Sequence, residues 1–396
     1  MLIKNASIFY GKDLDYIQNT NVRISGKYIG QIGPKLFPHK DETVLDCEGL
    51  LMMPGMINSH THIGDSIAKD IGIDSDVEEK IHPVSGFKQK ILKNSDKSHL
   101  TSFVRNSCIS MIRKGITTFI DFRESGIDGI NLLKNAAFNI PIRPIILGRI
   151  EYYQDSKNIK KNISIPESGK KQLRNLLKSC DGLGISGPNE FSDSTLRYFA
   201  KMKKIRAIHS AETEESNKIS QKISKKTETQ RALLSKPHFL VHMTHASKRD
   251  LTIVAKNKIS IVVCPRANGT LAEGIPDVST MLDTGCNIAI GTDNVMINSP
   301  DMFREMDYLW KVSMGVKKKR LAPKYILQMA TSNASNILGG RVGIIQNNKL
   351  ADCIFIEKHS IDLDPMHNPH ASVVHRASEN TIRAVMYEGE LVHGKI

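Results

Sequence analysis

No apolar run in this chain approaches the roughly 18 residues a bilayer span needs, and no two of its six cysteines form a C-x-x-C pair. The first absence excludes a membrane partner of the helical-span kind. The second leaves neither a disulfide framework nor a cysteine zinc site, so Cys47, Cys108, Cys180, Cys264, Cys286 and Cys353 read as reduced and structural. The opening Met1-Leu2-Ile3-Lys4-Asn5 alternates like a strand and lacks the charged, apolar and small-residue regions of a signal peptide, so a cytoplasmic location is expected. Aromatic residues do not interleave with the densest basic run, Lys317-Lys318-Lys319-Arg320. Net charge is +14, but the lysines are dispersed and often accompany Ile and Asn, which fits compositional drift better than a phosphate-binding face. No nucleic-acid partner is expected, and a homo-oligomer is left open.

What is present is ordinary globular material: 396 residues, 40% hydrophobic and 24% charged, enough for one large barrel and a smaller domain. Both ends are strand-like. Asn21-Val22-Arg23-Ile24 and Tyr28-Ile29-Gly30-Gln31-Ile32 flank a Ser25-Gly26-Lys27 turn, and Arg383-Ala384-Val385-Met386-Tyr387 and Leu391-Val392-His393 flank Glu388-Gly389-Glu390. A further strand is expected at 350–356. Two β-rich ends around a different middle predict one composite β-sandwich from residues 1–53 and 341–396.

Between them, residues 54–340 alternate short apolar or β-branched runs with helical stretches, the pattern of consecutive βα units. Eight such runs end near His62, Phe122, Arg149, Ser186, His209, His242, Cys264 and Asp293. Eight parallel strands favour a closed (β/α)8 TIM barrel, in which active sites are assembled at the carboxyl ends of the strands. Half of these runs end in His or Asp.

His60-Thr61-His62 places two imidazoles at i and i+2, on one face of a strand, where both can reach one metal. Alone, such a pair is more often two ordinary polar or core histidines. Its context, Pro54-Gly55-Met56-Ile57-Asn58-Ser59-His60-Thr61-His62, resembles the opening signature of the amidohydrolase superfamily. His209-Ser210-Ala211-Glu212, His242 and Gly291-Thr292-Asp293-Asn294 follow in the order that family uses. Cys264-Pro265-Arg266-Ala267-Asn268 and the stretch from Gly343 through Leu350-Ala351-Asp352 are similar to the branch containing adenosine-, guanine- and triazine-type deaminases. The likeness spans nearly the whole chain.

The resemblance implies that His60, His62, His209 and Asp293 hold one divalent metal, Zn2+ first and Fe2+ second, with a position left for water. It implies that Glu212 moves a proton between that water and a ring nitrogen, that His242 stabilises developing negative charge, and that Asp293 also takes a proton. The plain reading of Glu212 is a helix-start carboxylate, since Glu214 and Glu215 follow it. No lysine lies near Gly182 to Pro188, where two-metal members supply a bridging lysine, so one metal is expected. His245 is given no role, and His82, His99, His238 and His359 read as surface or satisfied polar groups.

Substrate contacts are expected from Arg149 and Arg123, which follow predicted strands and could grip a carboxylate or phosphate, and from Asn189. Gly187-Pro188-Asn189-Glu190 stands where many of the resembling deaminases have Pro-His, which counts against a nucleoside-type substrate. Either arginine could instead be an internal ion pair, with Asp121 and Glu124 flanking Arg123 and Glu151 near Arg149. The segment 64–97, with Asp65, Glu78, Glu79 and Lys88, matches no template. The expected activity is hydrolysis at a cyclic carbon–nitrogen centre other than a peptide bond, foremost deamination of a small heterocycle, with an anionic group as a further expectation. The alternatives are ring opening of a cyclic amide, as in imidazolone-type hydrolases, and a barrel scaffold without chemistry.

Overall fold

The computed structural model describes residues 1–75, 79–80 and 86–396; Glu78 and His82 lie outside the described residues. Eight short, buried runs form one parallel sheet: Met56–His62, Ile116–Arg123, Arg143–Gly148, Gly182–Ile185, Ile205–Ser210, Phe239–His242, Ser260–Val263, and a last strand split into Ile288–Ile290 and Asp293–Asn294. Every residue of the first, second, fourth, sixth and seventh of these is buried, as expected of strands covered on both faces. Helices such as Lys97–Arg113, Gly126–Ala137, Glu167–Lys178 and Lys248–Lys256 lie between consecutive strands and bury one stripe each.

The split last strand closes the barrel. Ile288–Ile290 pairs with Ser260–Val263 on one side, while Asp293 and Asn294 pair with Thr61 and His62 of the first strand. Asn58 stitches the seam: its Nδ2 donates to Thr292 Oγ1 at 2.7 Å and its Oδ1 accepts from the Thr292 amide at 3.0 Å. Inside, Ile57, Ile120, Phe122, Leu147, Phe239, Val241 and Val262 fill the barrel, and a larger apolar layer, including Val104, Met111, Leu133, Leu173 and Leu251, fills the space between strands and helices.

The chain ends meet in a second, eight-stranded sheet. Leu50–Pro54 pairs in parallel with Leu2–Tyr10 and antiparallel with Cys353–Glu357, which in turn pairs with Ile382–Tyr387. Both expected hairpins are present, as Asp15–Ser25 with Tyr28–Gly33 and as Ile382–Tyr387 with Glu390–Gly394. The sheet curls until its hairpin turns touch: a Cβ on Gly389 would lie 2.3 Å from the Gly26 carbonyl oxygen. Ile3, Ile8, Val22, Ile24, Met52, Phe355 and Met386 form its own core.

All six cysteines are buried and free. No helix of the described residues is long and apolar enough to cross a membrane. The basic run ends the Met302–Lys317 helix, where Lys317 and Lys319 are ion-paired to Asp277 and Asp283, each at 2.6 Å.

Barrel closure depends on a residue without a side chain at 291. A Cβ there would stand 2.6 Å from His60 Cβ and 2.8 Å from its carbonyl oxygen, closer than real contacts allow. Gly291→Ala therefore forces the last strand off the first, and a loss of about 1–3 kcal/mol, the usual scale of overpacking, is expected. Urea denaturation measures it; a midpoint equal to that of the unaltered protein would show that the seam relaxes freely.

Candidate active site

The seam brings the two histidines of the first strand against the last-strand aspartate, and the fifth strand completes the group. His60 and His62 lie on one face of Met56–His62, and His209 is the penultimate residue of Ile205–Ser210. His60 Nε2 is 3.2 Å from His209 Nε2 and 3.2 Å from Asp293 Oδ1. His62 Nε2 is 3.4 Å from His209 Nε2 and 3.6 Å from the same carboxylate oxygen.

The far side of each ring says which nitrogen carries its proton. His62 Nδ1 donates to Glu124 Oε1 at 2.8 Å, and His209 Nδ1 donates to the Ile185 carbonyl at 3.2 Å. In the neutral rings both Nε2 atoms are then bare lone pairs. Burial holds both imidazoles neutral, His62 lowered to about 3 and His209 well below the ordinary histidine value. Burial also opposes the charge on Asp293, but the imidazoles of His60, His242 and His62 keep its carboxyl well below the ordinary carboxylate range.

The bare lone pairs of His62 and His209, held 3.4 Å apart beside a carboxylate and away from water, repel one another. A divalent cation reverses that repulsion, and three imidazoles with one carboxylate form a donor set suited to it. The residues present therefore fit the metal.

Glu212 and His242 border the same space. One ligating atom from each of Glu212, His242 and Asp293 falls within 4.8 Å of the other two, and Glu212 Oε2 lies 3.4 Å from His242 Nε2. Burial pushes the Glu212 carboxyl up to about 7, and its Oε1 has no hydrogen-bond partner among the described residues. The following helix begins at Glu214, leaving Glu212 outside it, so the helix-start reading applies to Glu214 and Glu215 instead. Three residues here, Ala211, His242 and Asp293, adopt left-handed backbone with φ of 50°, 71° and 61°, a cluster of strain of the kind that marks functional sites.

Of the expected substrate contacts, the structure gives two internal partners. Arg123 Nη2 donates to Glu124 Oε2 at 2.8 Å and its Nε to the Glu124 carbonyl at 3.2 Å. Asn189 is used at both ends, donating to the Ser216 carbonyl at 2.8 Å and accepting from Arg231 at 3.1 Å. Both side chains are therefore held by partners within the chain, while Arg123 Nη1 has no hydrogen-bond partner among the described residues. Arg149 is buried among Tyr153, Glu124, Glu190 and Glu151, without a direct ion pair among the described residues.

Sequence reading missed Glu124 as the partner of His62 and missed Glu228 altogether. The buried Glu228 carboxylate accepts from the Ala211 amide at 2.8 Å and from the Ser216 hydroxyl at 2.5 Å, pinning the strained residue just before Glu212. Nothing in the spacing pointed to Glu228, although Glu124 directly follows a predicted strand end.

A model of the amidohydrolase family matches residues 51–392. The chain belongs to the amidohydrolase family. This amidohydrolase is 36% identical, over 99% of both chains, to a protein of Methanothermobacter thermautotrophicus provisionally named an aminohydrolase. It is 27% identical to a 5-methylthioadenosine/S-adenosylhomocysteine deaminase of Desulforamulus reducens, covering 89% of this chain and 82% of that one. Among solved structures it is similar in fold to the zinc complex of atrazine chlorohydrolase from Arthrobacter aurescens, with a TM-score of 0.84 at 16% identity over 99% and 95% of the chains. Guanine deaminase from C. acetobutylicum with bound guanine gives a TM-score of 0.80 at 16% identity over 99% of each chain. As an amidohydrolase it is a hydrolase acting on carbon–nitrogen bonds, and the convergent nitrogens offer a place for a divalent metal.

Because Glu228 fixes the backbone that carries Glu212, Glu228→Ala should displace Glu212 without touching the histidines or Asp293. A fall in kcat of about 10- to 100-fold is expected, the scale of a misplacement near 1 Å, with metal content unchanged. Turnover and metal analysis on the same preparation check it; unchanged kcat would mean that the turn at Ala211 holds itself.

Proposed function

We propose that this amidohydrolase removes an amino group from a small heterocycle by hydrolysis, using water activated at one divalent metal held by His60, His62, His209 and Asp293, with zinc the favoured ion. The observation that carries the reading is the placement of Glu212, His242 and Asp293 within 4.8 Å of one another at the edge of the three-imidazole cluster. The relatives named as deaminases support the same chemistry.

A divalent cation in such a site supplies Lewis acidity and lowers the pKa of water from 15.7 towards about 7. The rest falls to side chains. Asp293 and Glu212 accept the proton that water loses on attacking the carbon bearing the amino group. With its carboxyl near 7, Glu212 can both take and return a proton at neutral pH and pass it to the adjacent ring nitrogen. His242 donates to the oxygen as charge develops there. The tetrahedral centre collapses as the carbon–nitrogen bond breaks: its hydroxyl proton passes by way of Asp293 to the amino group, which leaves as ammonia, and the ring keeps a carbonyl oxygen derived from water.

Arg149, at the mouth after the strand Arg143–Gly148, is the candidate for an anionic group on the substrate. A guanidinium fork suits a carboxylate or phosphate there.

Four outcomes follow from this reading. Purified protein should carry close to one equivalent of metal, with His60→Ala and Asp293→Ala losing it; two equivalents, or full metal in both variants, would refute the ligand set. Glu212→Gln should keep the metal and lose at least about a hundredfold in turnover, whereas near-normal turnover would make Glu212 a bystander. On a panel of amino-substituted heterocycles and cyclic amides, ammonia release should accompany turnover. Arg149→Met should raise KM for an anionic substrate far more than for its neutral analogue, and equal effects would make the arginine structural.

A further inference from the structure

The helix Phe87–Asn94 follows the first barrel strand and carries one side chain that reaches behind the site. Lys88 is only 3% exposed. Its Nζ is ion-paired to Glu124 Oε1 and lies 3.4 Å from Asp65 Oδ2. Those two carboxylates back opposite edges of the histidine–aspartate group. Glu124 accepts from His62 Nδ1 at 2.8 Å. Asp65 accepts from Asn294 Nδ2 at 2.7 Å and from the Met296 amide at 3.0 Å, on the segment that begins with Asp293.

Two fully buried carboxylates converge on this one ammonium, and charges so placed require compensation, because their mutual repulsion is poorly screened without water. Arg123 also bonds Glu124, but Asp65 has Lys88 as its cationic partner. Beyond Lys88, the helix contributes Ile91 to a small apolar cluster of Ala68, Leu271, Met296 and Ile297. The helix is thus held to the barrel at the same two carboxylates that orient His62 and brace the turn after Asp293.

We propose that Lys88 is a positioning residue that couples metal binding to the docking of the Phe87–Asn94 helix. Resting on the ligand set proposed above, the coupling runs through Glu124 to the His62 ring and through Asp65 to the segment following Asp293. Partners behind a ligand set its ring orientation and basicity, and their loss typically weakens metal binding about 10- to 100-fold. Linkage makes the effect mutual: whatever seats the helix tightens the metal, and the metal seats the helix by the same factor.

The test uses the full chain, stripped with chelator and then titrated with zinc. Zinc affinity is measured by competition with a chromophoric chelator, and hydrogen exchange is followed in peptides covering residues 87–94. In the unaltered protein, zinc should slow exchange in the helix. Lys88→Met should bind zinc about 10- to 100-fold more weakly, with helix exchange no longer responding to zinc, and Lys88→Arg should recover part of both. A lysine with a merely structural role would lower the melting temperature and leave zinc affinity alone, and that result overturns the coupling. Should Lys88→Met fail to fold, Lys88→Gln and the zinc response of the unaltered helix still decide it: affinity in Lys88→Gln equal to the parent's, or a helix indifferent to zinc, overturns it. An unaltered protein that takes up no zinc would overturn the ligand set and the coupling with it. Uptake with equal affinity in the variant overturns the coupling alone.

Discussion

Nitrogen lone pairs directed at one another in a site stripped of water are the constraint on which this structure turns. His62 and His209 are held with Nε2 bare because Glu124 and the Ile185 carbonyl occupy the opposite nitrogens. Burial keeps both rings neutral, so protonation does not relieve the repulsion. The fold supplies Asp293 beside them and accepts left-handed backbone at Asp293 and His242 to do so. Those costs are offset when something positive sits among these groups, and this links the barrel to a divalent metal.

Barrel closure and site assembly are one event. The close passage of Gly291 over His60 and the pairing of Asp293 with Thr61 deliver the last-strand carboxylate to the first-strand histidines. Behind them, Glu124, Arg123, Lys88 and Asp65 form a buried charged layer in which each carboxylate has at least one cation. Within that layer Arg123, at the end of the second strand, is paired to Glu124. Ahead of the donors, Glu228 and Ser216 shape the turn that presents Glu212. The histidines and Asp293, the charged layer behind them and Glu212 thus come from different strand ends, and loops further out are left to set specificity.

Much of the framework was legible in the chain itself. The eight barrel strands stand where the apolar runs end, because a strand buried on both faces must be apolar through its length, and His60-Thr61-His62 shows its shared face by its spacing alone. The orienting layer was not legible. Glu124, Asp65 and Lys88 are brought together only by the barrel, and an acidic residue beside an arginine reads equally as surface charge or buried pair until the neighbouring strand is in place. The surroundings of Asn189 were hidden for the same reason: its two amide ends meet Ser216 and the fully buried Arg231, partners 27 and 42 residues away. Glu228 opens the five-residue helix Glu228–Ala232 just after its Thr227 cap, where an acidic residue reads as an ordinary helix-start carboxylate rather than a buried one.

The most direct test of the central claim is anomalous diffraction at the zinc edge from crystals of the purified, zinc-loaded protein. One peak is predicted, bounded by the Nε2 atoms of His60, His62 and His209 and by the Asp293 carboxylate. A map with no peak there, or with its strongest peak elsewhere, would contradict the account.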